Sequence, residues 1–213
     1  MVRKFRKTSC LIKLKKFIYL ISPNRIKKTF YKELDKVLSV KKVIFFQLRL
    51  KKNSEKEIIE ISKKIKKITK RHKVKLIIND SIKITNKVSA DGCHVGQNDT
   101  IISSAKKKLK KKILGVTCHN SKKLCKIAIE NKADYVAFGS FYLSKLKPKA
   151  IKSNLSILGW AKNNCKKKIV AIGGINARNY KKVLSKGANY IALSSFIWNN
   201  PKFEPKEAIK KFI

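Results

Sequence analysis

The sequence predicts an α/β protein folded as a single (β/α)8 TIM barrel over residues 1–213, and three observations lead to this prediction. Eight short apolar runs alternate with longer amphipathic, lysine-rich segments. A length of 213 residues suits one domain, and a hydrophobic content of 43% suffices for a sizeable core. Polar residues and glycines follow most of the apolar runs, at the end of the strands where such barrels carry their binding sites.

The apolar runs are predicted to be buried parallel strands. They are rich in β-branched and aromatic residues and are too short for typical helices. In chain order they are FIYLI (17–21), VIFFQLRL (43–50), KLIIN (75–79), GCHVG (92–96), ILGVTC (113–118), YVAFGS (135–140), IVAIGGI (169–175) and YIALSSFI (190–197).

The segments between the runs are predicted to be helices. Residues 54–72 carry isoleucines at positions 58, 61, 65 and 68, and Ser54 with Glu57 has the pattern of a capping box. Residues 121–132 and 176–187 each open on a capping residue, and the second segment closes on Gly187. A doubly wound open sheet is the alternative, but it would place phosphate-binding glycines after the first strand, where ISPN has none.

The formal net charge of +42 raises the question of a nucleic-acid or membrane partner. Only six of the 54 basic residues are arginines, and the lysines are spread along the whole chain. The planar guanidinium of arginine binds phosphates and bases through two hydrogen bonds, which lysine cannot do. The scarcity of arginine therefore favours solvated lysine-rich faces over specific nucleic-acid binding. We expect salt-sensitive adsorption to polyanions from the charge alone.

The cysteines and the first residues bear on the compartment. Five cysteines, an odd number without a CxxC pair, indicate reduced thiols and neither a disulfide framework nor a zinc site. Residues 1–16 form a basic extension without a signal-peptide cleavage pattern, and no run of 18 apolar residues could span a membrane. We therefore expect a cytoplasmic protein without a membrane partner, and we leave open whether it forms a homo-oligomer.

The end of the second run offers an anion clamp. Gln47, Arg49 and Lys51 alternate in QLRLK, so in an extended chain their side chains point the same way. A guanidinium fork and an ammonium group at a barrel mouth suit a multiply charged anion. The alternative is a solvated basic strand end.

Two of the five aspartates, Asp80 and Asp99, follow neighbouring runs in IIND and GQND. A pair of carboxylates at a barrel mouth suits Mg²⁺, with phosphate and water completing the coordination. The alternative is that each aspartate caps the helix that follows it.

The last two runs end in a phosphate-binding pattern. Gly173 and Gly174 stand between a strand and a helix, and Ser194 and Ser195 follow the next strand. Glycines allow close backbone approach, and the loops after strands 7 and 8 commonly hold phosphate in barrels. Cys118 with a neighbouring histidine, His94 or His119, is a weaker candidate for thiol catalysis, since adjacent strand residues point to opposite faces.

These motifs, in this order and spacing, resemble the thiamine-phosphate synthase family over about residues 17–200. The motifs are QLRLK, IIND, ADGCHVGQND, LGVTCH, ADYVAFG, AIGGI and SSFI. The resemblance implies coupling of a hydroxymethylpyrimidine diphosphate to a thiazole phosphate, with release of pyrophosphate, in thiamine biosynthesis. It also implies Mg²⁺ as cofactor and phosphorylated small molecules as partners. The implied residues are Gln47, Arg49, Lys51, Asn79, Thr117 and Lys147 for the pyrimidine diphosphate; Ser144, Lys145, Leu146, Gly174, Ser194 and Ser195 for the thiazole phosphate; and Asp80 and Asp99 for the metal.

The resemblance gives Arg49, Lys51 and Lys147 the catalytic role of neutralising the leaving pyrophosphate, without a protein nucleophile. Thr117 replaces a serine found in many members and keeps the hydroxyl. The family's phosphate loop reads Pro-Thr-x-Thr-Lys, whereas LSKLK (143–147) lacks the proline and has Leu146 for the second threonine. Two alternatives remain: an isomerase like the related thiazole tautomerase, or an inactive barrel that binds phosphate or polyanions.

Overall fold

The computed structural model describes residues 16–96, 102–143 and 152–212. Eight parallel strands close into a barrel in chain order, with the last strand pairing with the first. The strands are β1 Ile18–Ile21, β2 Val43–Leu48, β3 Lys75–Asn79, β4 Gly92–Val95, β5 Ile113–His119, β6 Tyr135–Phe138, β7 Lys168–Ala171 and β8 Tyr190–Leu193. The predicted (β/α)8 fold is confirmed, and the open-sheet alternative is wrong.

Helices surround the barrel and alternate with its strands. They are α1 Phe30–Leu38, α2 Glu55–Arg71, α3 Ile82–Lys87, α4 Ile102–Leu109, α5 Lys122–Glu130, α6 Ser156–Asn164, α7 Tyr180–Ser185, α8 Ser195–Trp198 and α9 Pro205–Lys210. None of the helices in the described part of the chain is both long and apolar enough to cross a membrane.

Several strands end earlier than predicted. The second strand stops at Leu48, and the sixth, seventh and eighth stop at Phe138, Ala171 and Leu193. The residues that follow belong to the loops of the barrel mouth, and 195–198 form the short helix α8. The apolar character of these segments continues past the strands because Phe141, Ile175 and Ile197 are buried under the mouth.

The helix starts follow the predicted caps in two of three cases. The Ser54 hydroxyl accepts from Glu57 N–H and the Glu57 carboxylate accepts from Ser54 N–H, which confirms the capping box. Ser121 caps α5 by accepting from Leu124 N–H. The prediction for Asn176 is wrong, since α7 begins at Tyr180 after a polar turn.

Three helices end in the same way. After α2, α3 and α5 the chain passes through one left-handed residue, Lys73, Ser89 or Lys132 respectively, with φ of 54°, 50° and 61°. In each case two backbone bonds close the turn in the Schellman pattern, as when Ala133 N–H donates to Ala128 O at 3.0 Å. Glycine is the usual residue at such a position, so these ends carry backbone strain.

The apolar residues form two cores. The larger one lies between the barrel and the helices and contains the outward-facing strand residues, among them Leu20, Phe46 and Val116. The smaller one fills the barrel interior and contains Tyr19, Phe45, Ile77, Tyr135, Ala137, Val170 and Tyr190. The interior is therefore packed with side chains, and binding chemistry is left to the mouth.

Candidate active site

The carboxyl-terminal ends of the strands bring together polar side chains that are distant in the chain. Gln47, Asn79, His94 and Thr117 each lie at or near the end of their own strand, on β2, β3, β4 and β5 respectively. Strand pairing sets Asn79 beside His94. Gln47 is only 3% exposed, so its amide lies at the inner end of this group.

The basic residues of the predicted clamp follow β2. Arg49 is half-buried, and its backbone N–H donates to the Ser22 hydroxyl at 3.0 Å, which fixes this segment against the end of β1. The extended-chain prediction is wrong for Lys51, because the strand ends at Leu48 and Lys51 lies in a turn. Its ammonium group nevertheless reaches Asp80, with 3.8 Å between Nζ and Oδ2.

Asp80 occupies the end of β3 in a strained conformation. Its φ is 64°, its backbone N–H donates to His94 O at 2.8 Å, and its carboxylate accepts from the Asn79 side-chain amide. Ser81, the next residue, caps α3 by accepting from Ile84 N–H at 3.1 Å. The capping alternative for Asp80 is therefore wrong, and its left-handed backbone is the kind of strain found at functional sites.

The second predicted metal ligand, Asp99, lies outside the described residues, as do Ser144, Lys145, Leu146 and Lys147 of the phosphate loop. Among residues 16–96, 102–143 and 152–212, no group of three or more His, Cys, Asp or Glu side chains is arranged to hold a metal. Asp80 fits a magnesium site of the usual kind, since Mg²⁺ takes only one or two carboxylates from a protein. Its side chain is 30% exposed at the mouth and so is open to solvent and ligand.

The glycine turn after β7 packs closely on the loop after β6. Gly173 and Gly174 have φ of 100° and 59°. A Cβ on Gly173 would lie 1.9 Å from the Ser140 hydroxyl, and one on Gly174 would lie 2.5 Å from Leu143 O. The glycines thus have a structural role, and they also bring the turn directly against Leu143, where the predicted phosphate loop begins.

The serines after β8 sit at the start of the short helix α8. The Ser194 hydroxyl donates to Ser22 O at 3.2 Å, and the Trp198 indole N–H donates to Ile21 O at 2.7 Å. These bonds attach α8 to the end of β1. Ser195 is the first helical residue and is half-buried. The exposed N–H groups of a helix start favour an anion, so this position suits a phosphate.

The thiol candidate is unsuited to nucleophilic catalysis. Cys118 is fully buried on the outer side of the barrel, where its thiol lies 3.8 Å from Val116 O. A hydrogen bond with Cys118, together with burial, raises the pKa of the neighbouring Cys125 thiol to about 12, so Cys125 stays protonated at neutral pH. The four described cysteines are free and buried.

A line of polar groups inside the barrel does not follow from the sequence pattern. The Tyr19 and Tyr135 hydroxyls lie 2.7 Å apart, Tyr135 Oη lies 3.0 Å from His94 Nδ1, and His94 Nε2 lies 2.8 Å from Thr117 Oγ1. Burial raises the pKa of both tyrosines well above the usual value, so both keep their protons. Both tyrosines belong to runs that read as apolar strands, and only closure of the barrel brings them together.

The chain is similar to known proteins over most of its length. The family model described as thiamine monophosphate synthase matches residues 18–197. The thiamine-phosphate synthase of Pelagibacter ubique is 53% identical over 198 residues, covering 92% of this chain and 96% of that protein. The thiamine-phosphate synthase of Clostridium acetobutylicum is 35% identical, covering 90% of this chain and 92% of that protein. A solved thiamine phosphate pyrophosphorylase from Pyrococcus furiosus superposes with a TM-score of 0.81 at 26% identity, covering 93% of this chain and 94% of that one.

The matched region runs from β1 into α8 and so includes the whole barrel, from the clamp after β2 to the serines after β8. This chain belongs to the thiamine-phosphate synthase family.

Proposed function

We propose that this chain is a thiamine-phosphate synthase, a transferase that joins a hydroxymethylpyrimidine diphosphate to a thiazole phosphate and releases pyrophosphate. The observation that carries the proposal is the placement of Lys51 beside Asp80 at the mouth of a barrel of this family. A cation and a carboxylate at one point suit a diphosphate bound together with a divalent metal.

The diphosphate would be held between β2 and β3. Arg49 offers a planar fork for two phosphate oxygens, and Lys51 offers a mobile point charge. The Asn79 and Gln47 amides, at the ends of the same two strands, can bind the pyrimidine or the bridging oxygens. These positions put donors around the leaving group, where negative charge develops as the bond to the pyrimidine methylene breaks.

Mg²⁺ would be held by Asp80 and Asp99, and when bound it would neutralise charge on the departing diphosphate. Asp80 is suited to this task because Ser81 already caps α3 and leaves the carboxylate at the mouth. The neighbouring Asn79 amide donates to this carboxylate and orients it.

The thiazole phosphate would bind at the ends of β7 and β8, which lie across β1 from the proposed diphosphate site. Gly174 provides a turn that packs against Leu143, where the predicted phosphate loop begins, and Ser195 provides a hydroxyl at the start of α8, beside Ser194. Because β7 and β8 are neighbours in the barrel, these groups face one region. The loop 143–147 would complete it, with Lys147 reaching the diphosphate.

The reaction proposed from these groups needs no covalent intermediate with the protein. Departure of pyrophosphate would leave a cation stabilised by the aminopyrimidine ring, and the thiazole nitrogen would capture it. The protein would then contribute charge neutralisation and alignment of two bound substrates, both of which lower the barrier substantially. The buried Cys118 is consistent with this scheme.

The isomerase alternative needs neither the diphosphate clamp nor the metal carboxylate. The presence of Arg49, and of Lys51 beside Asp80 at the mouth, favours the synthase. The buried free thiols support action in a reducing compartment, which we propose is the cytoplasm.

The test is incubation of the purified protein with both substrates, with and without Mg²⁺, followed by quantification of thiamine phosphate and pyrophosphate. We expect both products in equal amounts and only when Mg²⁺ is present. Folded protein that forms neither product would contradict the proposal, and thiazole isomerisation without coupling would favour the isomerase.

A further inference from the structure

We propose that a cavity at the amino-terminal ends of β7 and β8 is a binding site for an anion with linked phosphate groups. This proposal lies beyond the proposed function and does not depend on it. The cavity has a volume of about 390 Å³, which is in the range of small-molecule sites. Its charged and amide side chains are Lys162, Lys166, Lys167, Lys168, Asp134 and Asn189.

The cavity lies at the end of the barrel away from the mouth. Lys168 and Ile169 are the first two residues of β7, and Asn189 immediately precedes β8. The mouth begins after Ala171, about 10 Å further along β7, since a strand rises by about 3.3 Å per residue. A ligand in this cavity is therefore separate from the substrates of the candidate active site.

This end of the barrel carries a repeated hydrogen-bond pattern. The residue before β4, β6 or β8 accepts, through its side chain, from the N–H of the second residue of the preceding strand. The three pairs are Asp91 with Leu76 at 2.9 Å, Asp134 with Leu114 at 2.8 Å and Asn189 with Ile169 at 2.8 Å. In each pair the backbone N–H of the first residue also donates to the carbonyl of the second. An asparagine thus makes before β8 the bonds that an aspartate makes before β4 and β6.

The asparagine changes the charge balance around it. Lys75, the first residue of β3, forms an ion pair with Asp91, with 3.0 Å between Nζ and Oδ1. Lys168 has the same place on β7, but the residue before the next strand is the neutral Asn189. The carboxylate of Asp134 is already bonded to Lys106 and to the Leu114 N–H.

The lysines of the cavity consequently keep their charge without a carboxylate partner. Within residues 16–96, 102–143 and 152–212, none of the four takes part in an ion pair. A single phosphate would leave most of this charge unneutralised, whereas linked phosphates can bind several ammonium groups at once. Because Asn189 Oδ1 accepts from Ile169 N–H, the NH2 half of the amide is the part that can donate to such an anion.

Asn189→Asp is the sharpest test, because the fold itself uses aspartate at the two equivalent positions. The variant keeps the acceptor for Ile169 N–H and gives Lys168 the carboxylate that Lys75 has in Asp91. We therefore expect its melting temperature to equal or exceed that of the wild type. The amide donor is lost and the charge of the cavity falls, so a phosphate anion should bind more weakly.

Titration calorimetry with inorganic tripolyphosphate measures this loss, without Mg²⁺ and at about 0.15 M salt, where bulk charge is screened. We expect Asn189→Asp to weaken binding at least ~10-fold, the size of one lost bond to a charged group. The mouth is the same in both proteins, so the difference belongs to the cavity. Asn163→Asp makes the same charge change at an exposed position of α6 outside the cavity lining and should bind like the wild type. Equal affinities in all three proteins, or equal losses in the two variants, would overturn the proposal.

A pair of lysine substitutions tests the site without altering Asn189. Lys166→Gln combined with Lys168→Gln should weaken tripolyphosphate binding by ~10-fold or more. The matched control is Lys107→Gln combined with Lys110→Gln, which removes two exposed charges in and just after α4. This control should bind almost as the wild type does, because surface charges outside the site act only through a screened field. Equal weakening by both pairs would show bulk attraction and overturn the proposal.

The ¹H–¹⁵N spectrum shows where the anion binds. The side-chain NH2 signal of Asn189, identified by its absence in Asn189→Asp, should move when tripolyphosphate is added. An unmoved signal would overturn the proposal. Because this readout and the calorimetry need no turnover, their failure leaves the proposed function untouched.

ATP carries the same linked phosphates on a nucleoside and distinguishes two sources of the anion. Equal affinity for ATP and tripolyphosphate would assign the cavity to the phosphate groups alone. Tighter binding of ATP would assign the apolar part of the lining, with Ile169, Leu184 and Ala188, to the nucleoside. Binding of neither compound to the wild type would overturn the proposal.

Discussion

The ammonium group of Lys51 lies 3.8 Å from Oδ2 of Asp80, and the two residues follow different strands, β2 and β3. Their side chains are 56% and 30% exposed, so the pair is screened by water and contributes little to folding. A pair held loosely at a barrel mouth can separate at small cost when each partner gains a stronger one. The diphosphate and the metal of the proposed reaction are such partners.

Lys51→Gln should raise KM for the pyrimidine diphosphate about 10-fold, because one bond to a charged group is lost. The melting temperature and KM for thiazole phosphate should stay the same. The adjacent exposed lysine gives the control, since Lys52→Gln makes the same charge change at a position without a proposed role. Equal effects of both substitutions would show that bulk charge, and not the position of Lys51, attracts the substrate.

Leu146→Thr should restore the second hydroxyl of the family's phosphate loop. We expect affinity for thiazole phosphate, measured by calorimetry, to rise about 10-fold if the loop binds phosphate. Leu143→Thr is the control, because this neighbouring side chain is 88% exposed and the family has proline there. No gain at Leu146 would mean that the altered loop no longer contacts this substrate.

Lys132→Gly should stabilise the protein by about 0.5–1 kcal/mol, because Lys132 has a left-handed backbone with φ of 61° at the end of α5. The control is Lys126→Gly inside the same helix, which should destabilise by about 1 kcal/mol. Denaturant unfolding measures both. A loss of stability in Lys132→Gly would contradict the strain argument.

The cluster of Asp35, Arg71 and His72 should make a pH-dependent contribution to the free energy of unfolding. A hydrogen bond with His72, aided by Arg71, holds the pKa of Asp35 below its usual range. A lowered folded-state pKa adds stability above the unfolded pKa of 3.8, and this stability is lost as pH falls through the folded value. Asp35→Asn should therefore cost about 0.5–1 kcal/mol at pH 6 and almost nothing near pH 2, given the exposure of the cluster. Denaturant unfolding at several pH values measures the difference in stability between the wild type and Asp35→Asn. If that difference grows as the pH falls, the pKa of Asp35 is not lowered by folding and the prediction is contradicted.

The strand pattern was predictable because each strand contributes its own apolar run, and the polar residues at the strand ends marked the mouth. The end of the eighth strand was not predictable from the sequence. The segment SSFIW has the composition of a strand, but it forms α8 and is bonded to Ser22 and Ile21. The Tyr19–Tyr135 contact was also beyond prediction. It joins residues 116 positions apart, and nothing in either strand alone indicates that their hydroxyls meet.

Asp80 tests the central claim most directly, because its left-handed backbone contributes nothing to capping α3 and its carboxylate is a proposed metal ligand. Asparagine tolerates the same backbone and removes only the charge. We predict that the wild type couples both substrates with Mg²⁺ and that Asp80→Asn loses at least ~100-fold in kcat/KM, since removing a metal ligand costs more than removing a group behind it. Its melting temperature should equal or exceed that of the wild type. An Asp80→Asn enzyme with wild-type turnover, or a folded wild type without turnover, would contradict the account.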